Sequence, residues 1–188
     1  MVEATTQRYK NAWLELSEDK VVKPDGNPGT FATVRMKPGV SVLAMDELAQ
    51  VYLTSEYRYA VERDSIEVVS GGIDEDEPPL LAARRELREE LGIEAAQWID
   101  LGLVDPFTSA IRSPATLFLV RKLSLVEPEP EGTELIKVLK VDVGEAVRMV
   151  MESDITHGPS CVLILKTYFL LHREKKGRSR DKNERLAL

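Results

Sequence analysis

The stretch Gly71-Gly72-Ile73-Asp74-Glu75-Asp76-Glu77-Pro78-Pro79-Leu80-Leu81-Ala82-Ala83-Arg84-Arg85-Glu86-Leu87-Arg88-Glu89-Glu90-Leu91-Gly92-Ile93 decides how this chain is read. Pro78 and Pro79 suit the first turn of a helix, where a missing N–H matters least. Gly92 suits the left-handed position just past the helix end. Leu80, Ala83, Leu87 and Leu91 recur at helical spacing and make one apolar stripe. Glu86, Glu89 and Glu90 lie three and four residues apart, so they share a neighbouring face in the last two turns.

That placement works against stability. Like charges at this spacing cost roughly 0.2–0.5 kcal/mol per pair. Carboxylates near the negative end of the helix dipole cost on the order of 0.3–1 kcal/mol each. A solvated, salt-bridged helix is one account of the charges, with Arg85 pairing Glu89 while Arg84 and Arg88 dilute the field. A divalent cation is the other, because hard cations take carboxylate oxygens and turn repulsion into coordination.

The spacing is also a signature. Gly71, five residues, Glu77, seven residues, Arg85-Glu86-Leu87, one residue, Glu89-Glu90, one residue, Gly92-Ile93 resembles the complete Nudix box, matching nine specified positions across 23 residues. The resemblance implies an α+β fold, a Nudix-type α/β/α sandwich with a mixed β-sheet. It implies a hydrolase that cleaves a nucleoside diphosphate linked to another moiety. It further implies Mg²⁺, for which Mn²⁺ can substitute. Glu86 and Glu90 are the expected ligands, with Glu89 shared or adjacent and the Ser70 backbone carbonyl as a further oxygen. Arg85 is expected to orient the glutamates. Glu77 is expected to hold Arg85 or the loop, or to join a second metal.

The residues before the box are similar to the strand pair of ADP-ribose pyrophosphatases. Arg58 in Glu56-Tyr57-Arg58, then Glu67 and Gly71 in Ile66-Glu67-Val68-Val69-Ser70-Gly71, match that group, while Val68-Val69-Ser70 departs from its Leu-Pro-Ala. Asp154-Ile155-Thr156-His157-Gly158-Pro159-Ser160 also resembles its C-terminal region. Arg58, Glu67 and Gly71 are therefore expected at the substrate, with a nucleoside diphosphate sugar, ADP-ribose first, as substrate. The polar interruption from Asp105 to Pro114 reads either as a plain surface connection or as a loop presenting Phe107 or Arg112. Trp13, Tyr57 and Phe107 offer flat partners for a base. In the resembling group the general base can come from a loop beyond the box. Here Glu134 and Glu131, in Glu127-Pro-Glu-Pro-Glu131-Gly-Thr-Glu134, are the candidates. GDP-mannose or another nucleotide sugar, a non-catalytic nucleotide sensor, and hydrolysis of nucleoside triphosphates or capped RNA are alternatives. The intact glutamates argue against the sensor.

Bulk properties narrow the classes further. The 188 residues suit one domain with a proper core. A net charge of -7 argues against nucleic-acid partners, which want a basic face. Cys161 is the single cysteine, so no intramolecular disulfide forms and a reducing, cytoplasmic setting is expected. The N-terminus lacks the apolar core of a signal peptide, and no apolar run is long enough to span a membrane.

Strands are expected at Trp13–Leu16 and Val21-Val22 about a Ser17–Lys20 turn, then at Phe31–Met36, Val40–Met45, Val51–Ala60 and Ile66–Ser70. After the box helix come strands at Trp98–Val104, Ala115–Leu123 and Leu135–Val141, and helices at Asp142–Glu152 and Pro159–His172. The resemblance to ADP-ribose pyrophosphatases implies that strands within residues 1–38 pair two copies into a homodimer; 39–172 are expected to form the hydrolase domain and 173–188 a charged, disordered tail.

Overall fold

In a computed structural model, residues 1–127 and 136–185 are described, with side chains as far as 174. The first strands are β1 (Val2–Lys10), β2 (Leu14–Val22), β3 (Pro28–Met36), β4 (Gly39–Met45), β5 (Gln50–Arg58), β6 (Arg63–Glu67) and β7 (Val69–Gly72). Helix α1 (Pro79–Leu91) precedes β8 (Ile93–Val104), β9 (Ile111–Arg112), β10 (Ala115–Leu125) and β11 (Lys137–Asp142). Helices α2 (Val143–Met151) and α3 (Gly158–Arg185) follow.

The central sheet has the order β11-β5-β4-β10-β8, with β6 added to β5 and β7 to β4. It is mixed: β4 and β10 run parallel, while β4–β7, β5–β11 and β8–β10 are antiparallel. Alternation along the strands builds a core on each face. Val40, Val42, Ala44, Phe118 and Val120 point to one side, where Ala82, Ala83 and Leu87 of α1 cover them. Leu43, Met45, Leu53, Leu117 and Leu119 point to the other, against Val143, Ala146 and Met149 of α2 and Leu163 and Ile164 of α3. This is the α/β/α sandwich that the box resemblance implies. Among the described residues no helix is long and apolar enough to cross a membrane.

A second, four-stranded sheet has the order β1-β2-β3-β9. Its strands bury little: every residue of β1 is exposed, and Val21 is the one buried hydrophobic side chain in β1 to β3. The sequence predicts a turn at residues 17–20, but β2 runs straight through them. Ser17 pairs with Gln7 on one side and Thr33 on the other, so the backbone is satisfied in extended form. Three further differences have local causes. The expected strand at Ile66–Ser70 divides at Val68, because β6 pairs with β5 and β7 with β4. Strand β8 begins at Ile93, since β10 pairs with it as far as Leu125. Leu80 is exposed and Ala82 takes its place in the apolar face of α1. Helix α3 also extends past the expected end at His172, to Arg185.

Candidate active site

Helix α1 is framed by the residues that punctuate it in sequence. Pro79 is its first residue and Gly92 its left-handed cap at φ 59°, where the Gly92 N–H reaches the Arg88 carbonyl. The helix lies beside β7, with the Glu86 carboxylate directly over Gly71. A Cβ on Gly71 would lie 1.9 Å from Glu86 Cδ and 2.0 Å from its Oε1. Only a residue without a side chain leaves room for that carboxylate.

Arg85 ties the glutamates together. Its Nε and Nη2 donate to the Glu77 carboxylate at 3.2 and 3.1 Å, and Nη2 also donates to the Gly72 carbonyl at 3.0 Å. Its Nη1 bridges Glu86 Oε1 at 2.7 Å and Glu89 Oε2 at 3.2 Å. Glu77 in turn accepts from the Asp74 N–H, so it holds both Arg85 and the loop. Hydrogen bonding to Arg85 keeps the Glu77 carboxyl below the usual range.

Glu90 is different. Burial, with the nearby Glu86 charge, pushes its carboxyl up to about 8. A hydrogen bond from the Ser70 backbone and the Arg58 charge pull the other way and are outweighed. The Ser70 hydroxyl lies 3.0 Å from that of Ser41 and donates to the Val68 carbonyl, turned into the sheet.

Ser70, Gly71, Arg85, Glu86, Glu89 and Glu90, but not Glu77, line a cleft of about 390 Å³ with Trp13, Lys37, Glu56, Arg58, Asp74 and Ile136. Arg58 donates to Glu67 through Nε at 3.2 Å and Nη2 at 3.0 Å, while Nη1 pairs with Glu56 at 2.8 Å. Glu67 lies behind the cleft wall at 6% exposure. Burial raises its carboxyl, but the hydrogen bonds and charge of Arg58 more than offset this, and it stays below the usual range. Lys37 pairs with Asp74 at 3.0 Å, and its Nζ stands 5.7 Å from the Trp13 ring centroid. A second depression, on the other flank of α1, holds Arg84 against Trp98 and lacks this carboxylate cluster.

The sequence-derived residues divide accordingly. Glu77, Arg85, Glu86, Glu89, Glu90, Ser70, Gly71 and Arg58 come together, with Glu67 supporting Arg58. Arg112 does not join them: β9 pairs Arg112 with Arg35 on the four-stranded sheet. Glu131 and Glu134 lie outside the described residues. Trp13 reaches the cleft, whereas Tyr57 and Phe107 are exposed away from its lining. The sequence reading misses Lys37, which looks like part of a turn, and Glu56, although Glu56 and Arg58 share a strand face two residues apart.

The donor set is hard oxygen throughout, which is what Mg²⁺ takes. As the side chains lie, no group of three potential ligands among the described residues stands close enough to hold an ion. The Arg85 guanidinium supplies the neutralising charge between Glu86 and Glu89.

The NUDIX domain model matches residues 35–155. Two curated relatives are ADP-ribose pyrophosphatases. The one from Bacillus subtilis (strain 168) is 24% identical over 154 residues, covering 81% of this chain and 83% of that protein. The one from Mycobacterium tuberculosis (strain ATCC 25618 / H37Rv) is 28% identical over 163 residues, covering 85% and 79%. The methanol dehydrogenase activator of Bacillus methanolicus is 25% identical over 165 residues, covering 85% and 88%. A solved structure described as an ADP compounds hydrolase superposes with a TM-score of 0.80 at 17% identity, covering 93% of this chain and 95% of that one, a likeness of fold. With the box intact and the domain match running from Arg35 to Ile155, the chain belongs to the Nudix family and is a Nudix hydrolase.

Proposed function

We propose that the chain hydrolyses the pyrophosphate linkage of ADP-ribose, or of a closely related nucleoside diphosphate sugar, with Mg²⁺ as cofactor. The products are a nucleoside monophosphate and a sugar phosphate. The observation that carries this reading is one cleft in which Glu56, Glu86, Glu89 and Glu90 face Arg58 and Lys37, with Trp13 in its lining. The names of two curated relatives support the choice of ADP-ribose.

Glu86, Glu89 and Glu90, with the Ser70 carbonyl, would hold the cation. When bound, Mg²⁺ neutralises phosphate oxygens and lowers the pKa of a coordinated water. Arg85 keeps Glu86 and Glu89 in place, tied at the same time to Glu77 and the Gly72 carbonyl. Arg58 and Lys37 bring positive charge to the diphosphate, Arg58 through a planar fork suited to phosphate oxygens. Trp13 offers an exposed aromatic face to the base. Cys161 is a free thiol, which suits action in the reducing cytoplasm.

A panel of nucleotides tests the reading. ADP-ribose with Mg²⁺ should yield AMP and ribose 5-phosphate, excess chelator should abolish turnover, and Mg²⁺ or Mn²⁺ should restore it. Full turnover in chelator would remove the metal from the mechanism. A kcat/KM for GDP-mannose at least about tenfold above that for ADP-ribose would replace the substrate and leave the metal chemistry standing.

We also propose a homodimer formed through residues 1–38. The four-stranded sheet leaves Val2, Tyr9 and Phe31 exposed and buries almost nothing against its own chain. Light scattering at micromolar concentration should give twice the 21.1 kDa chain mass. A monomer mass would reject the dimer.

A further inference from the structure

Strands β6 and β7 are separated by a single residue, Val68, at the point where the chain changes partner from β5 to β4. The Val68 N–H donates to Ser160 Oγ at 3.0 Å, across 92 residues of chain. Ser160 is fully buried in the first turn of α3. Its Oγ lies 2.8 Å from His157 Nδ1. The Ser160 hydroxyl, having accepted from Val68, thus fixes the place of His157 Nδ1 by a second hydrogen bond. Burial of His157 and the Arg58 charge favour the neutral imidazole over the opposing pull of Glu67. His157 Nδ1 stands 3.6 Å from Glu67 Oε2.

From this chain of contacts we infer that His157, backed by Ser160, is a positioning residue for the cleft: it packs against the Glu67 carboxylate that aims Arg58. Neither residue lines the cleft. Arg58 engages two carboxylates at once, Glu67 behind the wall through Nε and Nη2, and Glu56 within the cleft through Nη1. While Glu67 is held from behind, Nε and Nη2 are fixed on it and the guanidinium plane is set. If Glu67 gains room, Arg58 can turn toward Glu56 and cover it, which removes the fork from the diphosphate. The assignment of a diphosphate rests on the function proposed above; the Arg58–Glu67 geometry does not.

The test compares His157→Ala with His157→Asn, whose side-chain amide can stand in for Nδ1 as the hydrogen-bond partner of Ser160, in the full chain with Mg²⁺ and ADP-ribose. His157→Ala should raise KM about tenfold and leave kcat within about twofold, while His157→Asn stays within about twofold of wild type in both. In an Arg58→Ala background the His157→Ala effect should vanish, because the two act through one side chain. An activity-free readout is exchange of the Arg58 Nε–H, followed by ¹⁵N NMR. It should quicken at least about fivefold in His157→Ala and not in His157→Asn. A wild-type KM in His157→Ala, equal impairment of the two variants, an undiminished effect without Arg58, or unchanged exchange would each overturn the inference. If wild type fails to cleave ADP-ribose, the substrate reading falls, and the exchange measurement alone decides the role of His157.

Discussion

Glu90→Gln and Glu86→Gln should each lower Mg²⁺-supported turnover by at least about a hundredfold, because each keeps the side chain's size and removes one carboxylate from the cation's donor set. Stability should respond in the opposite sense at Glu90. Its carboxyl titrates at 4.5 when unfolded and at about 8 when folded, chiefly through burial. The folded state therefore holds a proton that the unfolded chain has lost. In metal-free buffer this contribution is fully present below pH 4.5 and is lost as the pH rises to about 8. Glu90→Gln has no such proton to lose. In chelator its stability should gain on wild type steadily from pH 5 to 8.5, by on the order of 1–3 kcal/mol in total. Glu86→Gln gives up one partly exposed pair with Arg85 and should stay within about 1 kcal/mol. Melts showing Glu90→Gln equally destabilised at every pH would mean that the glutamate is structural.

Gly71→Ala should be nearly as damaging to activity, although it adds one methyl group and removes no charge. The new Cβ would stand 1.9 Å from the Glu86 carboxylate carbon, well inside contact distance. The backbone of β7 is pinned by its ladder with β4, where Gly71 pairs with Val40. The flexible glutamate must therefore give way, and with it goes the 2.7 Å bond from Arg85. A displacement on the order of 1 Å at a catalytic group costs about a hundredfold in rate. The fold should survive, with a loss of no more than about 2 kcal/mol, since the obstacle is the end of a side chain. Steady-state kinetics and circular dichroism check both halves; wild-type kcat in a folded Gly71→Ala would show that Glu86 need not stay where it lies.

The contrast between these two sites and Arg112 shows which features the sequence carries locally. Helix α1 is one of them: Pro79 and Gly92 mark its ends, and the glutamates' spacing places them on one face without reference to the rest of the chain. Strands β4, β5 and β10 are legible because the sheet is covered on both sides, which fills them with apolar residues. Strand β1 has no such pattern, being exposed on both faces, and is illegible for that reason. The polarity of its loop points Arg112 at the substrate, but a loop's destination depends on tertiary pairing, and β9 takes it to β3. Glu67 can be singled out as an acidic residue near Arg58; that it is buried behind the cleft wall depends on α3, which the local sequence does not announce.

The parallel pairing of β4 with β10 has a kinetic side. Residues 39–44 lie beside 115–120, and the entire β7–α1 unit falls between them in sequence. Contacts of such long range are costly to close and slow the search for the native state. The β7–α1 unit can form its own local contacts before that closure. The Glu86–Glu90 repulsion is local to α1, whereas the burial of Glu90 needs the sheet against the helix. The cost of that burial therefore falls late in folding. Relieving it by substitution should slow unfolding more than it speeds folding, which a pair of folding and unfolding rate measurements in metal-free buffer checks.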